Sequence, residues 1–307
     1  MRPRDLMDLV VLAAIWGASF LFTRVSVPEF GSFALVFVRA LSAAVFLVPL
    51  VFMKRQWGAM MKHWRAIALV GIFNCVIPFL LFAWALLSIT SGFASIGNAT
   101  AALWTPLVAW LWLGERISGV RVAGLMLGFV GVAILAADDA GFHGDHGGLA
   151  VMAVLLATLM YGMSANIVRR HLQGVPALSI SLGTQLVAVV LLAPLAWVSW
   201  PAQVPGATAW GAALALGVGC SALAFILYFR LISHVGASRA AAVAYLIPAF
   251  GMGWGALVLD ESVTVQMLVG AVVVLIGTAM SSGVLERERL TRWRARLAAL
   301  ATARRSE

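Results

Sequence analysis

Two successive stretches of this chain match one another at an offset of 145 to 146 residues, and each holds five apolar segments long enough to cross a bilayer. At offset 145, Trp16-Gly17-Ala18-Ser19 aligns with Tyr161-Gly162-Met163-Ser164, Arg24 with Arg169, Pro49 with Pro194 and Cys75 with Cys220. One residue further along, Glu115 meets Glu261, Gly124 meets Gly270 and Gly131 meets Gly277. The small drift in offset keeps the matches collinear. An odd number of crossings per copy turns the second copy over in the membrane. Inverted copies that meet around a mid-plane site are a recurring plan of secondary transporters.

The expected fold is therefore an all-α membrane protein of ten transmembrane helices in two inverted five-helix repeats. The first repeat occupies residues 1–138, the second 149–285, and a basic amphipathic tail 286–307. Spans are read at 6–27, 33–53, 65–86, 91–113 and 119–137, then 149–168, 178–199, 208–231, 236–259 and 265–284. With 63% hydrophobic and 11% charged residues and a mean hydropathy of +1.00, little of the chain is left for a soluble domain. Two cysteines, both placed in spans, supply neither a disulfide framework nor a metal cluster, and neither a metal nor a cofactor is expected.

Basic residues orient the chain. With a cytoplasmic N-terminus, 19 of the 21 lysines and arginines fall on the inner side, leaving Arg24 and Arg39 on the outer, so both termini are expected in the cytoplasm. The largest outer loop, 138–148, carries Asp138, Asp139 and Asp145 and no basic residue. The net charge of +9 is thus a topology signal, and no nucleic-acid partner is expected. In the tail, Leu290, Trp293, Leu297 and Leu300 recur at helical spacing between arginines, as in a helix lying on an anionic leaflet.

Charge inside a membrane is costly and usually functional, so ionisable residues far from helix ends matter most. The acids and histidines all fall in loops, tails or helix ends, and Arg39 alone lies well inside a span. An antiporter that exchanges a proton for a cation needs a buried carboxylate, and a hydrolase needs a nucleophile, base or metal constellation at membrane depth. Neither is read here, so the chain is not expected to be an enzyme. A lining of aromatic and neutral polar groups remains, which suits a net-neutral solute with an apolar side chain, such as a neutral amino acid.

The candidate cavity residues are Trp16, Arg39, Asn98, Trp104, Tyr161 and Tyr245. Four of them have a plainer reading. Trp16 and Tyr161 stand at equivalent positions but can serve packing, and Asn98 can simply tie helix to helix. Arg39 either snorkels to the outer headgroups or faces the cavity and attracts a carboxylate. Pro49, Pro194, Pro78, Pro106 and Pro248 supply bends within helices, for motion or for static packing. Gly124, Gly128 and Gly131, with Gly270 and Gly277, mark two closely packed helices rather than cavity walls.

These residues resemble the EamA-like branch of the drug/metabolite transporter superfamily. The resemblance is carried by Trp16-Gly17-Ala18-Ser19-Phe20 in the first helix and by Leu113-Gly114-Glu115-Arg116 before the glycine-spaced helix with Gly124 and Gly131. Weaker copies are Tyr161-Gly162-Met163-Ser164 and Leu259-Asp260-Glu261-Ser262, and the resemblance covers nearly all of the chain to about residue 285. It implies an exporter of the bacterial cytoplasmic membrane working by alternating access, with a central cavity between the halves and helices five and ten at the periphery. Residues 98–106 are most similar to the aromatic amino-acid exporter subgroup. The expected partners are the lipid bilayer and small neutral amino acids or metabolites. Broad efflux of neutral drugs is the alternative, and a membrane-anchored enzyme or scaffold a remoter one. Pro106 stands nine residues before Glu115 whereas Pro248 stands thirteen before Glu261, so the two kinks are not symmetric.

Overall fold

The computed structural model describes residues 2–137 and 146–282, so the acidic loop residues Asp138, Asp139 and Asp145 and the basic tail lie outside the described residues. Every regular element among them is a helix. In lipid no water completes the backbone, so helices, which satisfy their own N–H and C=O groups, are the expected solution for an apolar chain. In order these are α1 (Pro3–Met53), α2 (Trp57–Lys62), α3 (Trp64–Gly71), a π-helical segment π1 (Ile72–Val76), α4 (Ile77–Ala85), α5 (Ser91–Asn98), α6 (Ala101–Leu113) and α7 (Gly119–Ala136). After the break come α8 (Gly147–His171), α9 (Ala177–Val198), α10 (Ala207–Leu214), a second π-helical segment π2 (Ala215–Leu223), α11 (Ala224–Val235), α12 (Ala237–Ala240), α13 (Val243–Leu259) and α14 (Val265–Ser281).

Six continuous helical stretches are long and apolar enough to cross a membrane: Pro3–Met53, Trp64–Ala85, Gly119–Ala136, Gly147–His171, Ala177–Val198 and Ala207–Val235. Val243–Leu259 and Val265–Ser281 are shorter apolar helices.

Three details refine the spans read in the sequence. The spans 6–27 and 33–53 are two helices that meet within α1 at Gly31, where a φ of 69° and ψ of 165°, which only glycine adopts freely, interrupt the helical run without a longer loop. The span 91–113 is split into α5 and α6 by a turn at Ala99 and Thr100, and 236–259 into α12 and α13. The π-helical segments carry Cys75 and Cys220, the residues aligned at offset 145. Such wide turns leave backbone groups off the regular ladder and often mark functional sites.

Equivalent positions make equivalent contacts. A Cβ on Gly17 would meet Phe250 and Gly251, while one on Gly162 would meet Trp104 and Thr105. Gly71 lies against Thr184 and Val187, and Gly217 against Arg39 and Ser42, residues again 145 to 146 apart. Helices α7 and α14 pack along a glycine seam, with Gly124 against Met280 and Ser281, Gly131 against Gly270 and Val274, and Gly277 against Gly128. Small residues there allow backbones to approach and gain dispersion contacts that lipid tails cannot match. Ser118 caps α7 by accepting from Arg121 N, and Thr264 caps α14 by accepting from Met267 N.

Candidate functional site

Between α1, π1, α4, α5, α6, α8, π2, α11 and α13 lies a cavity of about 420 Å³. Trp16, Phe20, Thr23 and Arg39 of α1 line it, with Phe79 and Phe82 of α4 facing Tyr161 of α8. Asn98, at the end of α5, also lines it and makes no side-chain hydrogen bond among the described residues, so its amide is free to meet a solute. Apolar walls with a few convergent polar groups are the usual character of a small-molecule site.

The aromatic wall is built by interlocking rings. Phe82 stacks on Tyr161 with centroids 6.2 Å apart, and Phe20 meets Phe82 edge-on at 5.6 Å. Trp16 touches the Phe225 ring at 5.9 Å and the Tyr228 ring at 5.2 Å. Its indole Nε1 donates to the carbonyl of Cys220 at 3.2 Å, tying α1 to π2. Trp16 is therefore held in the cavity wall by its polar edge and by its ring neighbours.

Arg39 faces the cavity. Its Nε donates to Ser221 Oγ at 2.9 Å, and its guanidinium lies 3.6 Å from the centroid of Phe79. Of the two readings open in the sequence, the structure takes the inward one. Among the described residues no carboxylate lines the cavity.

Two of the six expected residues stand elsewhere. Trp104 lies between α6 and α8, with its Nε1 donating to Thr158 Oγ1 at 3.1 Å and its ring against Phe129 at 5.0 Å. Tyr245 is near the end of α14, where its hydroxyl lies 3.2 Å from Ser282 Oγ. Trp16, Arg39, Asn98 and Tyr161 are brought together.

Sequence reasoning missed a buried acid. Glu261 was read as a loop residue, yet its side chain is 6% exposed and pairs with Arg24 Nε at 3.1 Å. Ser91 N, Ser91 Oγ and Gly92 N at the start of α5 also donate to its carboxylate, at 2.9, 2.6 and 3.3 Å. Arg24 Nη1 donates in addition to the carbonyls of Leu86 and Ile89, at 2.8 and 2.6 Å. The network ties the end of the first helix to α5 and to the turn after α13, beside Thr23 and Leu86 of the cavity wall. The available signal was the alignment itself, because Arg24 and Glu261 are the partners of Arg169 and Glu115.

Those partners also pair, at the other end of the bundle, with Arg169 Nη2 2.8 Å from Glu115 Oε1, but their side chains are 48% and 49% exposed. Asn166, buried, accepts from Arg169 Nη2 at 2.9 Å and donates to the carbonyls of Thr105 and Gly162. Each glutamate is set by the same turn. A left-handed residue, Gly114 or Asp260, ends the helix, and Glu115 N and Glu261 N reach back to the carbonyls of Ala109 and Gly255.

The model of the EamA-like transporter family matches residues 6–137 and again 148–283. Among curated relatives, an uncharacterized transporter of Bacillus subtilis is 23% identical, covering 89% of this chain and 90% of its own length. A protein of Streptantibioticus cattleyicolor named "Probable terminal-alkyne amino-acid exporter" is 27% identical over 78% of this chain and 80% of its own. One of Escherichia coli named "Probable amino-acid metabolite efflux pump" is 22% identical over 90% and 94%. A solved crystal structure, 19% identical, shares the fold with a TM-score of 0.65 over 94% of this chain and 99% of its own.

Proposed function

This chain belongs to the EamA-like transporter family, and from that premise we propose that it exports neutral amino acids and related metabolites across a bacterial cytoplasmic membrane. Aromatic and other apolar amino acids, such as phenylalanine and methionine, are the favoured substrates. The observation that carries this reading is the cavity of about 420 Å³, walled by stacked aromatic rings, with Asn98 and Arg39 as its polar handholds. The volume lies within the range of small-ligand pockets. The names of two relatives, which mention amino-acid export and amino-acid metabolite efflux, support it.

The chain crosses the membrane ten times as two inverted halves with both termini in the cytoplasm, and transport proceeds by alternating access. The twofold match of the family model and the contacts repeated at an offset of 145 to 146 support this arrangement. In the cavity Trp16 and Tyr161 supply apolar contact, Asn98 hydrogen-bonds the polar end of the solute and Arg39 attracts its carboxylate. Movement follows the substrate's own gradient, because Glu261, the buried acid nearest the cavity wall, is already held by Arg24 and three further donors.

Counterflow in proteoliposomes with a panel of labelled amino acids tests the reading, with accumulation of phenylalanine and methionine expected. Flux that collapses whenever a proton gradient is removed would refute the downhill mechanism. Inhibition by unrelated hydrophobic solutes, with no uptake of any amino acid, would instead favour a broad-range effluxer.

A further inference from the structure

We infer that the cavity selects its solute by a single carboxylate and does not require an amine. It would then take aromatic and other apolar monocarboxylates, including the deaminated counterparts of the amino acids. This rests on the reading of the cavity as the transport path and names what that path recognises. Among the described residues Arg39 is the sole charged side chain in the wall. It has no carboxylate partner among the described residues, and only its Nε is hydrogen-bonded, to a neutral hydroxyl. Its two terminal amino groups have no protein acceptor there. The half-buried guanidinium, with the Phe79 ring on one face, keeps its terminal N–H groups for the chamber, and a carboxylate docked on its fork takes them up in two charge-assisted bonds.

The opposite charge has no such partner. With no Asp or Glu in the wall, a substrate ammonium meets only amides, hydroxyls and ring faces, in the same chamber as Arg39. The residue aligned with Arg39 in the second repeat is Thr184, so the cation sits on one side only. One carboxylate is therefore matched, a second is not, and the rest of the solute faces aromatic rings.

The test compares three ligands of one shape on purified protein: phenylalanine, 3-phenylpropionate and phenethylamine. Binding is read by tryptophan fluorescence, and transport by competition against labelled phenylalanine counterflow. The acid without an amine should bind within about tenfold of phenylalanine, and the amine without an acid at least about a hundredfold more weakly. Arg39→Gln should erase that difference, and Arg39→Lys should keep part of it. Saturable binding of 3-phenylpropionate without phenylalanine transport would support this inference while sinking the amino-acid reading. The inference is overturned if phenethylamine matches 3-phenylpropionate, or if phenylalanine binds and 3-phenylpropionate does not.

An independent set of observations carries a second inference. The geometry points to Arg24–Glu261 and Arg169–Glu115 as reciprocal latches, one buried while the other is exposed. Both pairs bridge the two repeats, each joining an arginine near the end of a repeat's first helix to the turn after the fourth helix of the other. Around the first pair the helices are in contact, with Gly251 and Gly255 of α13 against Ser95 and Ser91 of α5. At the opposite end α6 makes no comparable contact with α12, the counterpart of the start of α5, among the described residues. The alternate state would bury Glu115 and Arg169 and release Glu261.

A cysteine placed at Thr23, in a Cys75→Ala, Cys220→Ser background, reports access from the Arg24 end to a membrane-impermeant maleimide. Glu261→Gln, or Arg24→Gln, should raise its labelling rate about tenfold, the mark of roughly a 1.4 kcal/mol population shift. Glu115→Gln should lower it. The charge reversal Arg24→Glu with Glu261→Arg should return the rate toward that of the parent. The inference is overturned if neither substitution changes the rate, or if both change it in the same direction.

Discussion

Replacing single glycines by alanine separates close packing from helix propensity, because the two effects have opposite signs. At Gly124 an added Cβ would stand 2.6 Å from Met280 Cβ, 2.7 Å from Ser281 N and 2.8 Å from Gly277 O. Two of these three neighbours are backbone atoms, which a rotamer change cannot move. Ordinary contact begins near 3.4 Å, so α7 and α14 must part by several tenths of an ångström along the seam. Overpacking of this kind costs about 1–3 kcal/mol, more than the roughly 1 kcal/mol by which alanine outranks glycine in a helix interior. Gly253, inside α13, has nothing within 4 Å of an added Cβ, so only the propensity gain remains there. Gly124→Ala should therefore lower the thermal midpoint of the purified protein in detergent, and Gly253→Ala should raise it. Transport per folded molecule should survive Gly124→Ala, since α7 does not line the cavity. If Gly124→Ala proved neutral or stabilising, close packing along the glycine seam would be refuted.

The two ion pairs should differ in their hold on the fold. Glu261→Gln leaves a largely buried arginine unpaired and should cost on the order of 3 kcal/mol, whereas Glu115→Gln, at a half-exposed pair, should cost about 0–1 kcal/mol; thermal melting of both variants checks this. Asn166→Ala removes a buried amide bonded to two carbonyls and should lower the melting temperature by an amount corresponding to about 1–3 kcal/mol, without changing ligand selectivity. Asp5 lies outside the apolar span; desolvation pushes its carboxyl up, but the Arg2 N–H and the facing His234 outweigh it and hold the group below its usual value. Its folded-state value being depressed, its contribution is present at neutral pH and is lost as pH falls through the carboxylate range. Acid melting curves should show that loss in the parent and not in Asp5→Asn.

Much of this architecture was legible in the residues. The apolar stretches named the helices, since a chain this hydrophobic has few other ways to satisfy its backbone. The collinear matches pointed to equivalent contacts, seen in Gly17 with Phe250 and Gly162 with Trp104. The depth of Arg39 marked a charge needing a reason, and Trp16, Asn98 and Tyr161 were found beside it.

What only the tertiary structure decided is which way each side chain faces. Trp104 and Tyr245 read as well as Trp16 did, yet both lie outside the cavity. In a soluble helix the polar face tells inside from outside, but here lipid tails and helix neighbours are equally apolar, so hydropathy carries no such signal. The bend at Gly31, the two π-helical segments and the burial of Glu261 depend likewise on contacts between residues far apart in the chain. Composition and periodicity determined that the chain forms membrane helices and where they run. The packing of one half against the other determined which residues share a chamber.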